Sequence, residues 1–123
     1  MRILGLHHVA IAVDDIEKYS KIFSNLFGLK SGKIEHNPES KVSLTMVDLD
    51  NSEVEFIKSS DNDSAISKFL DKRGPGIHHF CLAVEDINKA VNELIAKGVK
   101  MIDQKPRKGA GGSMIAFIHP EST

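Results

Sequence analysis

Two stretches of the chain repeat one pattern of apolar and polar positions. The first reads LHHVAIAVDDIEK from Leu6, and the second reads IHHFCLAVEDINK from Ile77. They align without a gap, and each runs from a β-rich segment through an acidic residue into residues with the spacing of an amphipathic helix. The repeat is too long for a solenoid, whose units recur every ~20–50 residues. The pattern therefore predicts two copies of one strand-then-helix module.

The first module is predicted to hold a helix between one strand and three others. After strand Leu6–Val13, Asp15 stands where a helix N-cap belongs, and Gly28 stands where a left-handed C-cap ends a helix. The turn sequences Asn37-Pro38 and Asp50-Asn51-Ser52 then separate three strand candidates: Lys30–Glu35, Val42–Leu49 and Glu53–Ile57. The order over residues 1–58 is βαβββ.

The second module is predicted to follow a polar linker at about residues 59–76, which holds a short helix around Ala65–Lys72. It occupies residues 77–123, with Asp86 as the helix cap, and its elements are a strand at 77–84, a helix at 87–97 and strands at 99–103 and 113–118. By the pattern of the first module a fourth strand should follow, so the last strand is expected to be truncated at Thr123. The predicted fold class is α+β, with two βαβββ modules forming a cupped mixed sheet in a single domain, residues 1–123.

Strand alternation assigns the four leading histidines to different faces. The bulky face of each first strand is predicted to pack against its own helix: His7, Val9, Ile11 and Val13 in one copy, His78, Phe80, Leu82 and Val84 in the other. The opposite faces carry His8 and His79 with only small residues behind them. Small side chains leave space, so His8 and His79 are predicted to face one cavity.

Strand Glu53–Ile57 adds carboxylates to the same cavity. Val54 and Phe56 form its apolar side, so Glu53 and Glu55 point the other way. A histidine or glutamate on a strand is more often solvated than a ligand, but the duplication places two histidines at equivalent inward positions. Two imidazoles and a carboxylate are a common ligand set for Co²⁺, Mn²⁺, Ni²⁺ or Zn²⁺.

Composition narrows the remaining functions. Charged residues make up 27% of the 123 and the net charge is -1, so no nucleic-acid or membrane partner is expected. The one cysteine, Cys81, fits a reducing compartment and a cytoplasmic location, and it is interpreted as a packing residue. His36 and His119 have no repeat partner and are interpreted as solvated or structural. Lys105, Arg107 and Lys108 could bind phosphates or form a solvated basic loop.

Essentially the whole chain resembles the methylmalonyl-CoA epimerases of the vicinal-oxygen-chelate superfamily. Glyoxalase I, extradiol dioxygenases, fosfomycin-resistance enzymes and bleomycin-sequestering proteins share that superfamily's fold. The resemblance rests on HHVAIAV, FGLK, LDNSEVEFI, SAISKFLDKRGPGIHHFCLAV, KGVKMID, KPRKGAGG and FIHPEST. The stretch from Ala65 to Val84 and the late GAGG segment are its most specific parts.

The resemblance implies a metal site and a reaction. The implied ligands are His8, Glu55 and His79, with Co²⁺ as the favoured metal, and the family's fourth ligand is a glutamate expected a few residues past Thr123. The implied activity is epimerisation of (2R)- and (2S)-methylmalonyl-CoA by metal-assisted α-proton abstraction through an enolate, in propionate metabolism. An acyl-CoA substrate and a homodimer are expected.

Epimerisation needs a base on each side of the reacting carbon. Some family members carry a glutamate on the strand that here reads Val42-Ser43-Leu44-Thr45, so that base is absent. Glu53 is the candidate catalytic base within the chain, and the principal base is expected on the missing strand. Residues predicted to bind the substrate surround the Gly-rich loop, whose main chain can approach an anion closely: Arg107, Lys108, Gly109, Ala110, Gly111 and Gly112.

Two alternatives use the same fold. A glyoxalase-type metal-dependent isomerase or lyase would need the same three ligands, and the specific segments are what favour an epimerase over it. A non-catalytic small-molecule-sequestering protein would have no need of the inward His8, Glu55 and His79.

Overall fold

The computed structural model describes all residues from Met1 to Thr123. The elements in chain order are β1 (Ile3–Ala12), α1 (Ile16–Phe27), β2 (Glu35–Asn37), β3 (Val42–Asp48), β4 (Glu53–Ser59), α2 (Ala65–Arg73), β5 (Gly76–Val84), α3 (Ile87–Ala96), β6 (Arg107–Lys108) and β7 (Met114–Ile115). Five strands form one sheet in the order β2-β3-β4-β1-β5, and β6 and β7 form a separate hairpin. The sheet is mixed, since β1 and β4 are parallel while β3 is antiparallel to both β4 and β2. The predicted α+β class is confirmed.

The chain divides into two compact units. One comprises Leu6–Leu82, and the other comprises Met1–Gly5 together with Ala83–Thr123. The single domain and the module boundaries at 1–58, 59–76 and 77–123 stay predictions. None of the helices has both the length and the apolar character that a bilayer-spanning segment requires.

The repeated acidic residues cap their helices in the same way. Asp15 accepts a hydrogen bond from the backbone N–H of Lys18 at 3.1 Å, and Asp86 accepts one from that of Lys89 at 3.1 Å. Each bond satisfies one of the N–H groups that a helix N-terminus leaves without an intrahelical partner. The end of α1 is also as predicted, because Gly28 adopts the left-handed conformation with φ 67°.

The hydrophobic core of the Leu6–Leu82 unit lies between α1 and one face of the sheet. Its fully buried centre is Phe56, whose ring meets that of Phe23 edge to face at a centroid distance of 4.9 Å. Ile11 and Val54 pack against the same cluster, as the alternation of β1 and β4 predicts. The face bearing His8, Ala10 and Glu55 therefore points away from α1.

The strand predicted at Lys30–Glu35 is wrong in its position. Only Ser31 forms a bridge, to Val47, and regular pairing begins at Glu35 in β2. The Gly32 N–H still donates to the Met46 carbonyl at 2.8 Å, but the Gly32 carbonyl accepts from the Thr45 hydroxyl at 2.8 Å instead of from a backbone N–H. A glycine inside a strand weakens it, and this side-chain bond takes the place of a ladder bond.

The two late strands predicted at 99–103 and 113–118 are also wrong in extent. Met101 and Ile118 form an isolated bridge, and otherwise only Met114–Ile115 is a strand, paired with Arg107–Lys108. The carboxylate of Asp103 accepts a hydrogen bond from the Phe117 N–H at 2.9 Å. This N–H therefore bonds to a side chain and not to the backbone carbonyl of a neighbouring strand.

The predicted burial of the bulky face of β5 is wrong. Phe80 is 65% exposed and Leu82 is 47% exposed. Because β5 is the outermost strand of the five-stranded sheet, its neighbours along the sheet lie on one side only. The hydrophobic pattern of a strand indicates which side chains share a face, whereas coverage of that face depends on the strand's place in the sheet.

Candidate metal centre

The parallel pairing of β1 with β4 aligns the predicted ligands from these two strands. His8 lies opposite Glu53, and Ala10 lies opposite Glu55. Side chains of directly paired residues share one face of a sheet. Glu55 therefore projects from the same face as His8, two residue pairs further along the strands.

The three predicted ligands come together on this face. One ligand atom from each of His8, Glu55 and His79 lies within 4.8 Å of the other two. The rings of His8 and His79 meet edge to face, with centroids 5.6 Å apart. Glu55 is 5% exposed and the two histidines are half-buried. The inward facing predicted from strand alternation is confirmed, while the role of these residues as ligands stays a prediction.

The electrostatics of the cluster suit a cation. Burial lowers the pKa of His8 to about 4, helped by His7, and lowers that of His79 to about 4, helped by His78 and His8. Neutral imidazoles keep a ring-nitrogen lone pair for a metal. Burial also raises the pKa of Glu55 to about 7, with the charges of Glu53 and Glu35 adding to the effect. A buried carboxylate is costly without a positive partner, so two neutral imidazoles and this carboxylate fit a divalent metal ion.

Each candidate histidine contacts the histidine that precedes it. The Nδ1 atoms of His7 and His8 are 2.8 Å apart, and those of His78 and His79 are also 2.8 Å apart. In each pair one nitrogen donates and the other accepts, which restricts the tautomer and the orientation of the inward ring. Alternation had placed His7 and His78 on the opposite face, and the doubled histidine in both copies was the sequence signal for this contact.

Glu53 lies beside the cluster, at the rim of the same face. It is the direct partner of His8 on β1 and of Asp48 on β3. Burial raises its pKa, and a hydrogen bond and charge repulsion from Asp48 raise it further. A carboxylate with a raised pKa is a better proton acceptor than an ordinary exposed one.

The residues predicted to bind substrate lie in the other unit. Arg107 donates through Nε to Asp103 at 2.9 Å and its guanidinium lies 5.6 Å from the centre of the Phe117 ring. Lys108 is an exposed residue of β6, and the Gly-rich loop forms a short 3-10 turn at Ala110–Gly112. The ion pair with Asp103 gives Arg107 a structural contact, and the substrate role of this group stays a prediction.

The two unpaired histidines of the sequence make local bonds. His36 Nδ1 lies 2.7 Å from the hydroxyl of Ser43 on the neighbouring strand. His119 accepts from the backbone N–H of Glu121 at 3.0 Å. Both contacts agree with their interpretation as structural residues.

Comparison with known proteins places the chain in one superfamily and shows methylmalonyl-CoA epimerases among its relatives. Residues 7–117 match the family model of the Glyoxalase/Bleomycin resistance protein/Dioxygenase superfamily. The chain is 38% identical over 119 residues to the mitochondrial methylmalonyl-CoA epimerase of Dictyostelium discoideum, a match that covers 95% of the chain and 71% of that protein. It is 37% identical over 117 residues to the human protein of the same name, covering 94% of the chain and 66% of that protein.

Solved structures agree with the sequence relatives. The methylmalonyl-CoA epimerase from Mycobacterium tuberculosis matches with a TM-score of 0.94 and 30% identity, covering 98% of this chain and 81% of that one. A methylmalonyl-CoA epimerase in complex with methylmalonyl-CoA and NH₄⁺ matches with a TM-score of 0.92 and 28% identity, covering 98% and 88%. The agreement in fold extends over nearly the whole chain.

Proposed function

Because the chain belongs to the methylmalonyl-CoA epimerases of the glyoxalase/bleomycin resistance/dioxygenase superfamily, we propose that it interconverts (2R)- and (2S)-methylmalonyl-CoA. The observation that carries the proposal is the cluster of His8, Glu55 and His79, whose ligand atoms lie within 4.8 Å of one another on one face of the sheet. Support for an acyl-CoA substrate comes from the related structure that holds methylmalonyl-CoA.

These three residues would hold a divalent cation, with Co²⁺ as the first candidate and Mn²⁺, Ni²⁺ or Zn²⁺ as alternatives. When bound, such a cation supplies Lewis-acid stabilisation for the negative charge that develops on a thioester oxygen. His7 and His78 restrict the two ligand rings through their 2.8 Å contacts. Burial of Glu55 keeps its carboxylate away from competing water.

Glu53 is the proposed proton acceptor within the chain. The reaction removes the C2 proton beside the thioester, leaves an enolate, and returns a proton to the opposite face of that carbon. Glu53 shares the sheet face of the cluster, and burial and Asp48 raise the pKa of its carboxyl, which makes it a stronger proton acceptor than an ordinary exposed carboxylate.

The Gly-rich loop and the two basic residues before it are assigned to substrate binding. Backbone N–H groups of Gly109–Gly112 are proposed to hold the substrate carboxylate, and Arg107 and Lys108 to attract the coenzyme A phosphates. A homodimer, a cytoplasmic location and a role in propionate metabolism remain predictions from the sequence. The epimerase relatives favour this activity over a glyoxalase-type reaction or simple sequestration.

Proton exchange tests the proposal directly. The protein would be incubated with Co²⁺ and methylmalonyl-CoA in D₂O, and loss of the C2 proton would be followed by NMR. We expect metal-dependent exchange that His79→Ala abolishes and that His36→Ala retains, because His36 is not in the cluster. No exchange above the buffer background, with metal shown to be bound, would overturn the proposed activity.

A further inference from the structure

A second group of metal-ligating side chains lies beside the first and includes the chain's single cysteine. One ligand atom from each of His7, His8 and Cys81 lies within 4.8 Å of the other two. The two histidines are on β1, and the cysteine is on β5, the neighbouring strand of the sheet. His7 is exposed while His8 and Cys81 are half-buried, so the group can be reached from solvent on one side.

The spacing of these atoms suits one ion. Metal–nitrogen bonds of about 2.0–2.1 Å and metal–sulfur bonds of about 2.3 Å place the ligands of a tetrahedral ion roughly 3.3–3.8 Å from one another. The ligand atoms of His7, His8 and Cys81 lie within 4.8 Å of one another, which is close to these separations. Both ring nitrogens of a histidine can bind metal, and the exposed side leaves room for water as a fourth ligand.

The donor atoms differ in kind from those of the first cluster. The set of His8, Glu55 and His79 offers two imidazoles and a hard carboxylate oxygen, whereas the set of His7, His8 and Cys81 replaces the oxygen with sulfur. Thiolate sulfur selects soft or borderline cations over hard ones. A metal ion binds the thiolate form of cysteine, so the Cys81 proton leaves to solvent when the ion binds.

We infer that His7, His8 and Cys81 form a second metal site, which binds thiophilic divalent cations such as Zn²⁺ and Cd²⁺. Binding forms a metal–sulfur bond and releases the Cys81 proton to water, with no change of oxidation state. His8 belongs to both ligand sets, so a cation in one set competes for this ring or repels a cation in the other. Occupancy of the thiol site therefore opposes occupancy of the carboxylate site. The inference does not depend on the proposed epimerase activity.

Cadmium titration tests the site, because thiolate bonded to Cd²⁺ absorbs in the ultraviolet through charge transfer. The chain has one cysteine, so any such band belongs to Cys81. We expect a saturable band in the wild type that disappears in Cys81→Ser and Cys81→Ala, two variants that guard against a folding defect in either one. His7→Ala should keep the band but weaken Cd²⁺ binding by about 10-fold or more, as for other losses around a metal site.

The carboxylate set provides the matched control. Glu55→Gln removes a ligand of the first set only, so the cadmium–thiolate band should appear at the same or a lower Cd²⁺ concentration. Circular dichroism of each variant would establish that the fold is retained. Absence of the band in the folded wild type would overturn the inference. The inference would also be overturned if the band depended on Cd²⁺ concentration in the same way in His7→Ala as in the wild type. Cys81 would then bind cadmium without His7.

Discussion

Ala10 on β1 lies directly opposite Glu55 on the parallel strand β4. The alanine is fully buried and the glutamate is 5% exposed, on the face of the sheet that also carries His8. A methyl group extends little from the sheet, so the longer glutamate side chain can reach past it toward the imidazoles. The small residue is therefore part of what positions the carboxylate.

Enlarging this alanine should weaken metal binding. Ala10→Val adds volume beside Glu55, and Ala12→Val makes the same change at a fully buried position opposite Ile57 instead. Overpacking a buried site costs about 1–3 kcal/mol, so both variants should lose stability in urea unfolding. Only Ala10→Val should also lower Co²⁺ affinity, by about 10-fold, in calorimetric titration. Equal Co²⁺ affinities for the two variants would show that Ala10 does not position Glu55.

The inward facing of the three candidate ligands was predictable because it is a local property of strands. Successive side chains alternate between faces, so the sequence around His8, Glu55 and His79 contains the information directly. The caps at Asp15 and Asp86 are local in the same sense, since each bonds a backbone N–H three residues away.

Features that depend on distant parts of the chain were not predictable in this way. The exposure of Phe80 depends on which elements pack over that face of β5, which no pattern within β5 encodes. The misplaced strand at Lys30–Glu35 depends on a hydroxyl from Thr45, and the shortened late strands depend on the Asp103 carboxylate. The contact between His7 and His8 is set by side-chain rotamers rather than by alternation.

Neutralising Glu55 should remove most of the affinity for the candidate metal. Glu55→Gln replaces the buried carboxylate with an amide, whereas Glu39→Gln makes the same chemical change at an exposed residue outside the ligand cluster. Loss of even a group that only orients a ligand costs 10–100-fold in metal affinity, so we expect at least about 100-fold weaker Co²⁺ binding for Glu55→Gln. Glu39→Gln should stay within about 3-fold of the wild type. Isothermal titration calorimetry would measure both, and comparable losses would remove Glu55 from the ligand set.

The two capping aspartates should contribute similarly to stability. Asp15→Ala and Asp86→Ala each delete a side chain that accepts a backbone N–H at 3.1 Å. Such losses typically cost about 1 kcal/mol, and urea unfolding of each variant would measure the cost. Asp14→Ala is the matched control, because it removes an exposed aspartate that precedes the cap. If Asp14→Ala lost as much stability as Asp15→Ala, the loss would come from the change in net charge and not from the missing cap bond.

Gly109 should be required by its neighbour Ile115, and not by its own backbone conformation. A Cβ atom added at Gly109 would lie 2.8 Å from Ile115 Cδ1 and 2.9 Å from Cγ2, closer than real Cβ contacts allow. Its φ of -106° is one that alanine adopts freely, so the cost of Gly109→Ala should be steric, about 1–3 kcal/mol.

Ile115→Ala removes the atoms that clash, so adding Gly109→Ala to that variant should cost much less stability than it does in the wild type. A double-mutant cycle by urea unfolding should therefore give a coupling energy of about 0.5–3 kcal/mol. An equal cost in both backgrounds would instead point to the backbone of the loop, whose Gly109 N–H donates to the carbonyl of Ser113 at 2.7 Å.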